Sequence, residues 1–171
     1  MDAAAHYRHL LSLGRDEFLA AAAPAALLRR RASEDDAGGI DTQTLERDVD
    51  DGFGEETVPH MRVGGDPVVE LYPLAKKPGA SFPDRITIGR TPNNDVAIAD
   101  PSVSRLHAYV RPERGRWVVA DAGSKNGSWL GGAALDARKE RAIASGAVLR
   151  LGDVDLTFFL AADLFVALGG S

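Results

Sequence analysis

From Pro67 onward the sequence is a succession of short β-rich runs cut apart by turn residues. The runs are Val68–Leu74, Arg85–Ile88, Asp95–Ile98, Leu106–Val110, Trp117–Ala120, Ser128–Leu130, Ala147–Leu151 and Leu156–Leu160. Between them stand Lys77-Pro78-Gly79, Thr91-Pro92-Asn93-Asn94, Asp100-Pro101, Asn126-Gly127, Gly131-Gly132 and Gly152-Asp153, whose residue types reverse a chain rather than extend it. Many short strands at close spacing bury their apolar faces only by stacking two sheets or closing a barrel, so the fold class expected here is all-β. A last apolar run, Leu164–Leu168, fits a strand or a short helix.

The chain ahead of that pattern differs in kind. Residues 1–32 read as an α-helical segment: Ala3 to Leu13 carries helix formers, Gly14 is placed to end a helix, Asp16 is placed to cap a second one, and Pro24 stops or kinks it. Leu10, Leu11, Phe18, Leu27 and Leu28 would form a small helical hairpin or pack on the sandwich. Residues 33–66 read as an acidic flexible linker, with 11 acids against Arg47 and Arg62 and few large apolar side chains. Such a segment buries too little surface to offset its ordering entropy. The expected organisation is a helical segment over 1–32, a linker over 33–66 and a β-domain over 67–168.

Charge and composition narrow the function classes. Residues 1–66 hold 14 acids and 7 bases, whereas residues 67–171 hold 11 acids and 13 bases. An acidic front half argues against a nucleic-acid partner, and the mildly basic rear half is compatible with an anionic ligand. With no cysteine, disulfides, thiol catalysis and zinc-thiolate sites are excluded. No apolar run approaches the roughly 20 residues that span a bilayer, so no membrane partner is expected. Leu19–Leu28 resembles a signal-peptide core, but acids precede it and Arg29-Arg30-Arg31 follow it, so the expected location is the cytoplasm. Arginine outnumbers lysine 16 to 4, which leans toward a bacterial source.

Three loops between the runs carry the residues with binding chemistry. In Ile88-Gly89-Arg90-Thr91, Arg90 stands where a strand gives way to a loop, and its guanidinium is a planar fork of donors suited to phosphate. In Ser104-Arg105-Leu106-His107, the serine and its backbone can donate hydrogen bonds, Arg105 adds a second cation, and His107 reads as a structural imidazole bonded to loop backbone. In Ser124-Lys125-Asn126-Gly127-Ser128, Asn-Gly signals a tight turn, and the asparagine amide can both donate to and accept from a peptide main chain. Asn126-Gly127-Ser128 also matches the glycosylation sequon and is read here as a β-turn. No nucleotide-binding, zinc-protease or nucleophile-elbow motif occurs, and His6 and His9 lack a third metal ligand. Neither enzymatic activity nor a metal or other cofactor is expected.

Gly89-Arg90, Ser104-Arg105-Leu106-His107 and Ser124-Lys125-Asn126-Gly127-Ser128, in that order, resemble the forkhead-associated (FHA) family. The resemblance covers about 100 residues, Pro67 to Leu168, and leaves residues 1–66 unexplained. It implies an eleven-stranded β-sandwich that binds phosphothreonine peptides through loops at one end, as a signalling adaptor. By that resemblance Arg90 pairs with phosphate, Ser104 bonds a phosphate oxygen, Arg105 and Lys125 add charge, and Asn126 bonds the peptide backbone. Gly89, His107 and Gly127 match positions that hold the loops in shape. Ser128 stands where the family often has threonine, and Arg105 where some members carry a neutral polar residue.

The partner so implied is a phosphothreonine-containing protein or peptide, with a Ser/Thr protein kinase or one of its substrates upstream. Two alternatives stand beside it. The sandwich could serve as a phosphate-independent interaction scaffold. Or Thr57, in Glu55-Glu56-Thr57-Val58-Pro59, could be phosphorylated and occupy the chain's own FHA domain, with tethering raising its effective concentration toward about millimolar.

Overall fold

A computed structural model describes residues 3–31, 68–79 and 82–171. Thr57 and the predicted 33–66 linker fall outside the described residues. The chain divides into one compact unit of Met1–Arg29 with Val69–Ser171 and another of Arg30–Val68. The first unit holds all three loop motifs.

Two β-sheets stack to form this unit. In chain order the described elements are α1 (Ala3–Leu13), α2 (Arg15–Ala21), β1 (Ala25–Arg31), β2 (Val68–Pro73), β3 (Ile86–Gly89), β4 (Val96–Ala97), β5 (Ala108–Glu113), β6 (Arg116–Asp121), β7 (Ser128–Leu130), β8 (Ala133–Ala134), β9 (Arg141–Ile143), β10 (Val148–Leu151), β11 (Val154–Leu160) and α3 (Ala161–Ala167). One sheet runs β2-β1-β11-β10-β7-β8 and the other β4-β3-β5-β6-β9. Strand periodicity explains the core between them. Ile86 and Ile88 of β3, Ala108 and Val110 of β5, Leu149 and Leu151 of β10, and Leu156 and Phe158 of β11 are all buried there, at alternate positions of their strands.

Strand β1 corrects the helical reading of residues 1–32. Helices α1 and α2 are present, but Ala25–Arg31 is a strand, pairing antiparallel with β11 in the register Ala25↔Leu160 to Leu28↔Thr157. The reason is burial on two faces. Ala25 and Leu27 point into the sandwich core, whereas Ala26 and Leu28 join Tyr7, Leu10, Phe18, Leu71, Leu164 and Phe165 in a second core under the helices. A strand buried on both sides is apolar at every position, so it carries no alternation to distinguish it from a buried helix. The sandwich therefore takes one of its central strands from the chain ahead of Pro67.

The helices close that second core. Phe18 meets Tyr7 and Phe165 edge-on, with ring centroids 5.6 and 5.3 Å apart. Gly14 has the positive φ of 105° that favours glycine, and its N–H bonds the carbonyl of Leu11 where α1 ends. Gly14 is also the residue ahead of α2, so Asp16 lies in that helix's first turn instead of capping it. The Leu164–Leu168 run is helix α3 rather than a strand. Among the described residues no helix is long and apolar enough to cross a membrane.

Candidate functional site

The β3–β4, β4–β5 and β6–β7 connections carry the three motifs, and hydrogen bonds knit them at one end of the sandwich. Strand β3 ends at Gly89, and the next residue, Arg90, donates its backbone N–H to the carbonyl of Ser104 at 2.9 Å. The first two motifs are thus joined main chain to main chain. Asn94, buried in the first loop, sends its amide nitrogen to the carbonyl of Arg105 at 2.6 Å, and Thr91 Oγ1 donates to the same carbonyl at 3.2 Å. Gly89 is the residue this approach demands: a Cβ there would stand 2.1 Å from the Arg105 carbonyl oxygen and 2.6 Å from Asn94 Nδ2.

His107 joins the second motif to the third. It is fully buried; its Nδ1 accepts the backbone N–H of Ser104 at 3.0 Å, and its Nε2 donates to the carbonyl of Gly127 at 2.9 Å. Those two bonds fix the neutral tautomer that carries its proton on Nε2. Burial pushes the imidazole pKa below its ordinary value and outweighs the Gly127 bond and the charge of Asp121, which act the other way.

Asp121, at the end of β6, organises the third loop. Its carboxylate accepts the backbone N–H groups of Gly123 and Ser124 at 2.9 and 3.0 Å, the hydroxyl of Ser128 at 2.6 Å, and the hydroxyl of Ser124. Burial alone would raise its pKa; the bonds from Ser124, Ser128 and Gly123 outweigh that and hold the carboxyl below the usual carboxylate value. Gly127 sits in the left-handed region at φ 86°, with the Trp129 ring 3.2 Å from where a Cβ would be. The serine at position 128 does what that turn needs, since its hydroxyl is the buried donor to Asp121.

On this frame the candidate binding groups face solvent. Arg90, Arg105, Lys125 and Asn126 are exposed, and Ser104 is half-buried between them. Among the described residues, the side chains of Arg90, Arg105 and Lys125 have no hydrogen-bond or ion-pair partner. Ser104 Oγ accepts the backbone N–H of Lys125 at 3.0 Å, which leaves its own proton to donate. Asn126 donates through Nδ2 to the carbonyl of Ser102 at 2.8 Å, leaving its carbonyl oxygen as an acceptor. Three cations and a hydroxyl donor around rigid loops are a complement to a phosphate dianion, which offers acceptor oxygens only.

Sequence reasoning found the exposed groups and missed several residues that hold them. Asn94, Asp121 and Ser102 do the bracing. Ser102 Oγ donates to Asp100, while accepting the N–H of Asp153 at 2.9 Å, and so ties the β10–β11 turn to the site. A short polar side chain at the start of a turn is the available signal for Asp121; its partners Ser124 and Ser128 follow in the same loop and at the start of β7.

Comparison with known proteins accords with this site. Residues 86–152, which span all three loops, match the family model of the FHA domain. An FHA domain-containing protein of Arabidopsis thaliana is 36% identical over 81 residues, covering 47% of this chain and 20% of that protein. The oxoglutarate dehydrogenase inhibitor of Corynebacterium diphtheriae is 35% identical over 72 residues, covering 42% of this chain and 48% of the inhibitor. A solved structure of Mycobacterium tuberculosis EmbR in complex with a low-affinity phosphopeptide aligns at TM-score 0.46 and 27% identity, covering 54% of this chain and 22% of that one. The chain thus spans less than half the length of each of these proteins. The loops that bring Arg90, Ser104 and Asn126 together are those the family match contains: this chain carries an FHA domain.

Proposed function

We propose that this chain is a phosphothreonine-peptide-binding adaptor module, acting with a Ser/Thr protein kinase or its substrates, and that it catalyses nothing. The observation that carries the reading is the exposed Arg90, whose side chain has no partner among the described residues and whose backbone N–H bonds the Ser104 carbonyl at 2.9 Å. Two loops joined at their backbones carry a guanidinium and a hydroxyl, which together can supply several charge-assisted donors to one phosphoryl group. In this reading Arg90 and Ser104 take phosphate oxygens, Arg105 and Lys125 neutralise the remaining charge, and Asn126 Oδ1 accepts a peptide N–H. The FHA family supports it further, since such domains read phosphorylated motifs through arginine clusters. The oxoglutarate dehydrogenase inhibitor among the relatives suggests regulation of a metabolic enzyme as one outlet for such binding.

The experiment is binding of the full chain to a phosphothreonine peptide library, before and after phosphatase treatment. Binding confined to phosphorylated peptides supports the adaptor. Binding that survives the phosphatase would favour the phosphate-independent scaffold.

A further inference from the structure

Strand β1 reaches the recognition loops through one side chain. Ala25 and Leu27 of β1 point into the sandwich core, and Arg29 follows them on the inward side at the same two-residue spacing. Its side chain is 15% exposed and crosses from the six-stranded sheet to the β4–β5 connection of the other sheet, where Nη2 donates to Asp100 Oδ2 at 3.3 Å. Nη1 stands 3.8 Å from Glu70 Oε2 on β2.

Asp100 passes this contact on. Its second oxygen, Oδ1, accepts the backbone N–H of Ser102 at 2.9 Å and the Ser102 hydroxyl at 2.7 Å. Those two bonds, with the Arg29 guanidinium acting in the same direction, hold the Asp100 carboxyl below the usual carboxylate value. The carbonyl of Ser102 is in turn the acceptor for Asn126 Nδ2 at 2.8 Å. That carbonyl has little room to shift, since a Cβ on Gly152 would stand 2.4 Å from its oxygen. A side-chain amide is planar, so tying Nδ2 to Ser102 also aims Oδ1, the atom that accepts a peptide N–H in the reading above.

Resting on the phosphothreonine reading, we propose that Arg29 is a positioning residue for peptide recognition, acting through Asp100 and Ser102 on the amide of Asn126. Arg29 itself touches no ligand. It lies outside the span 86–152 that matches the family model, so the N-terminal strand contributes to recognition as well as to the core. Asn126 is exposed, and an exposed side chain left unbraced must be ordered when the peptide arrives. Bracing it beforehand lowers that cost, while the pairing of Arg90 with phosphate is left as it was.

Charge alone predicts something different. Removing a cation near the site weakens binding of a phosphate dianion, whereas removing an anion tightens it. Loss of positioning weakens binding in both cases.

The test uses the full chain, labelled with nitrogen-15, as wild type, Arg29→Met and Asp100→Asn. The side-chain amide signal of Asn126 is assigned by its absence in Asn126→Ala. Both variants should shift that signal and speed exchange of its protons with water, a readout that needs no ligand. Both should also weaken binding of a phosphothreonine peptide, by about fivefold, measured by calorimetry in which only folded protein contributes to the stoichiometry. Arg29→Lys keeps the charge and loses the planar fork, so it should give a smaller shift of the same signal, and it carries the test where a neutral variant unfolds. An Asn126 signal that stays in place overturns the proposal, as does tighter binding in Asp100→Asn; in either case the phosphothreonine reading stands. If the wild type binds the peptide no better with phosphate than without, that reading falls and the positioning role falls with it.

Discussion

His107 accepts the backbone N–H of Ser104 on Nδ1 at 3.0 Å, so the residue proposed to meet phosphate is held in place by a buried imidazole. The opposite nitrogen reaches Gly127 at 2.9 Å, and one ring therefore bridges the loops of the second and third motifs. Replacing it removes both bonds and opens a cavity. His107→Ala should cost about 2–4 kcal/mol of stability and weaken phosphopeptide binding, with urea denaturation and calorimetry as the measurements.

The same imidazole makes stability depend on pH. The ordinary histidine pKa is about 6.5, and burial places that of folded His107 lower. Below about pH 6.5 the unfolded chain therefore takes up a proton that the folded chain refuses. Stability is fully present above that value and falls as the pH drops through it toward the folded pKa. Urea midpoints should decline between about pH 7 and pH 5.5 in the wild type, and the decline should be smaller in His107→Gln.

Asp121 tests the third loop. Its carboxylate gathers donors from Gly123, Ser124 and Ser128, and only an ionised group accepts them all. Asp121→Asn should destabilise the domain by about 2–3 kcal/mol. Because the depressed pKa means that stability is present above about pH 3.9 and lost as the pH falls toward the folded value, the variant should also flatten the acid limb of the stability profile. Thermal unfolding followed across acidic pH reads both effects.

Gly89→Ala should be among the most damaging changes of a single methyl group. The added Cβ would meet a backbone oxygen at 2.1 Å, and backbone cannot swing aside as a flexible side chain does. The Arg105 segment must move, at a cost of about 2 kcal/mol or more, and Ser104 moves with it. Loss of phosphopeptide affinity exceeding that of an exposed control, Gly115→Ala, is the expected result in parallel titrations.

How much of the fold and the site was legible in the sequence varied with the kind of residue. Exposed groups such as Arg90, Arg105, Lys125 and Asn126 sit in loops whose turn residues mark them, so their motifs read directly. The sandwich was legible as well, because half-buried strands such as β10 and β11 alternate. Strand β1 was not: Ala25-Ala26-Leu27-Leu28 is buried on both faces, and an all-apolar run following a helix looks like more helix. Asn94, Asp121 and Ser102 escaped for another reason. Their value lies in partners from other loops or in several donors converging on one carboxylate, and spacing along the chain carries little of that.

The central claim turns on Arg90 and the phosphate, and a double-mutant cycle isolates that pair. Calorimetry would compare the wild type and Arg90→Ala, each titrated with one peptide in its phosphothreonine and threonine forms. Phosphate should strengthen wild-type binding at least about 100-fold, and Arg90→Ala should remove most of that gain. The substitution should have little effect on the threonine peptide. Equal losses for both peptide forms, or a phosphate gain that survives in Arg90→Ala, would contradict the pairing of Arg90 with phosphate.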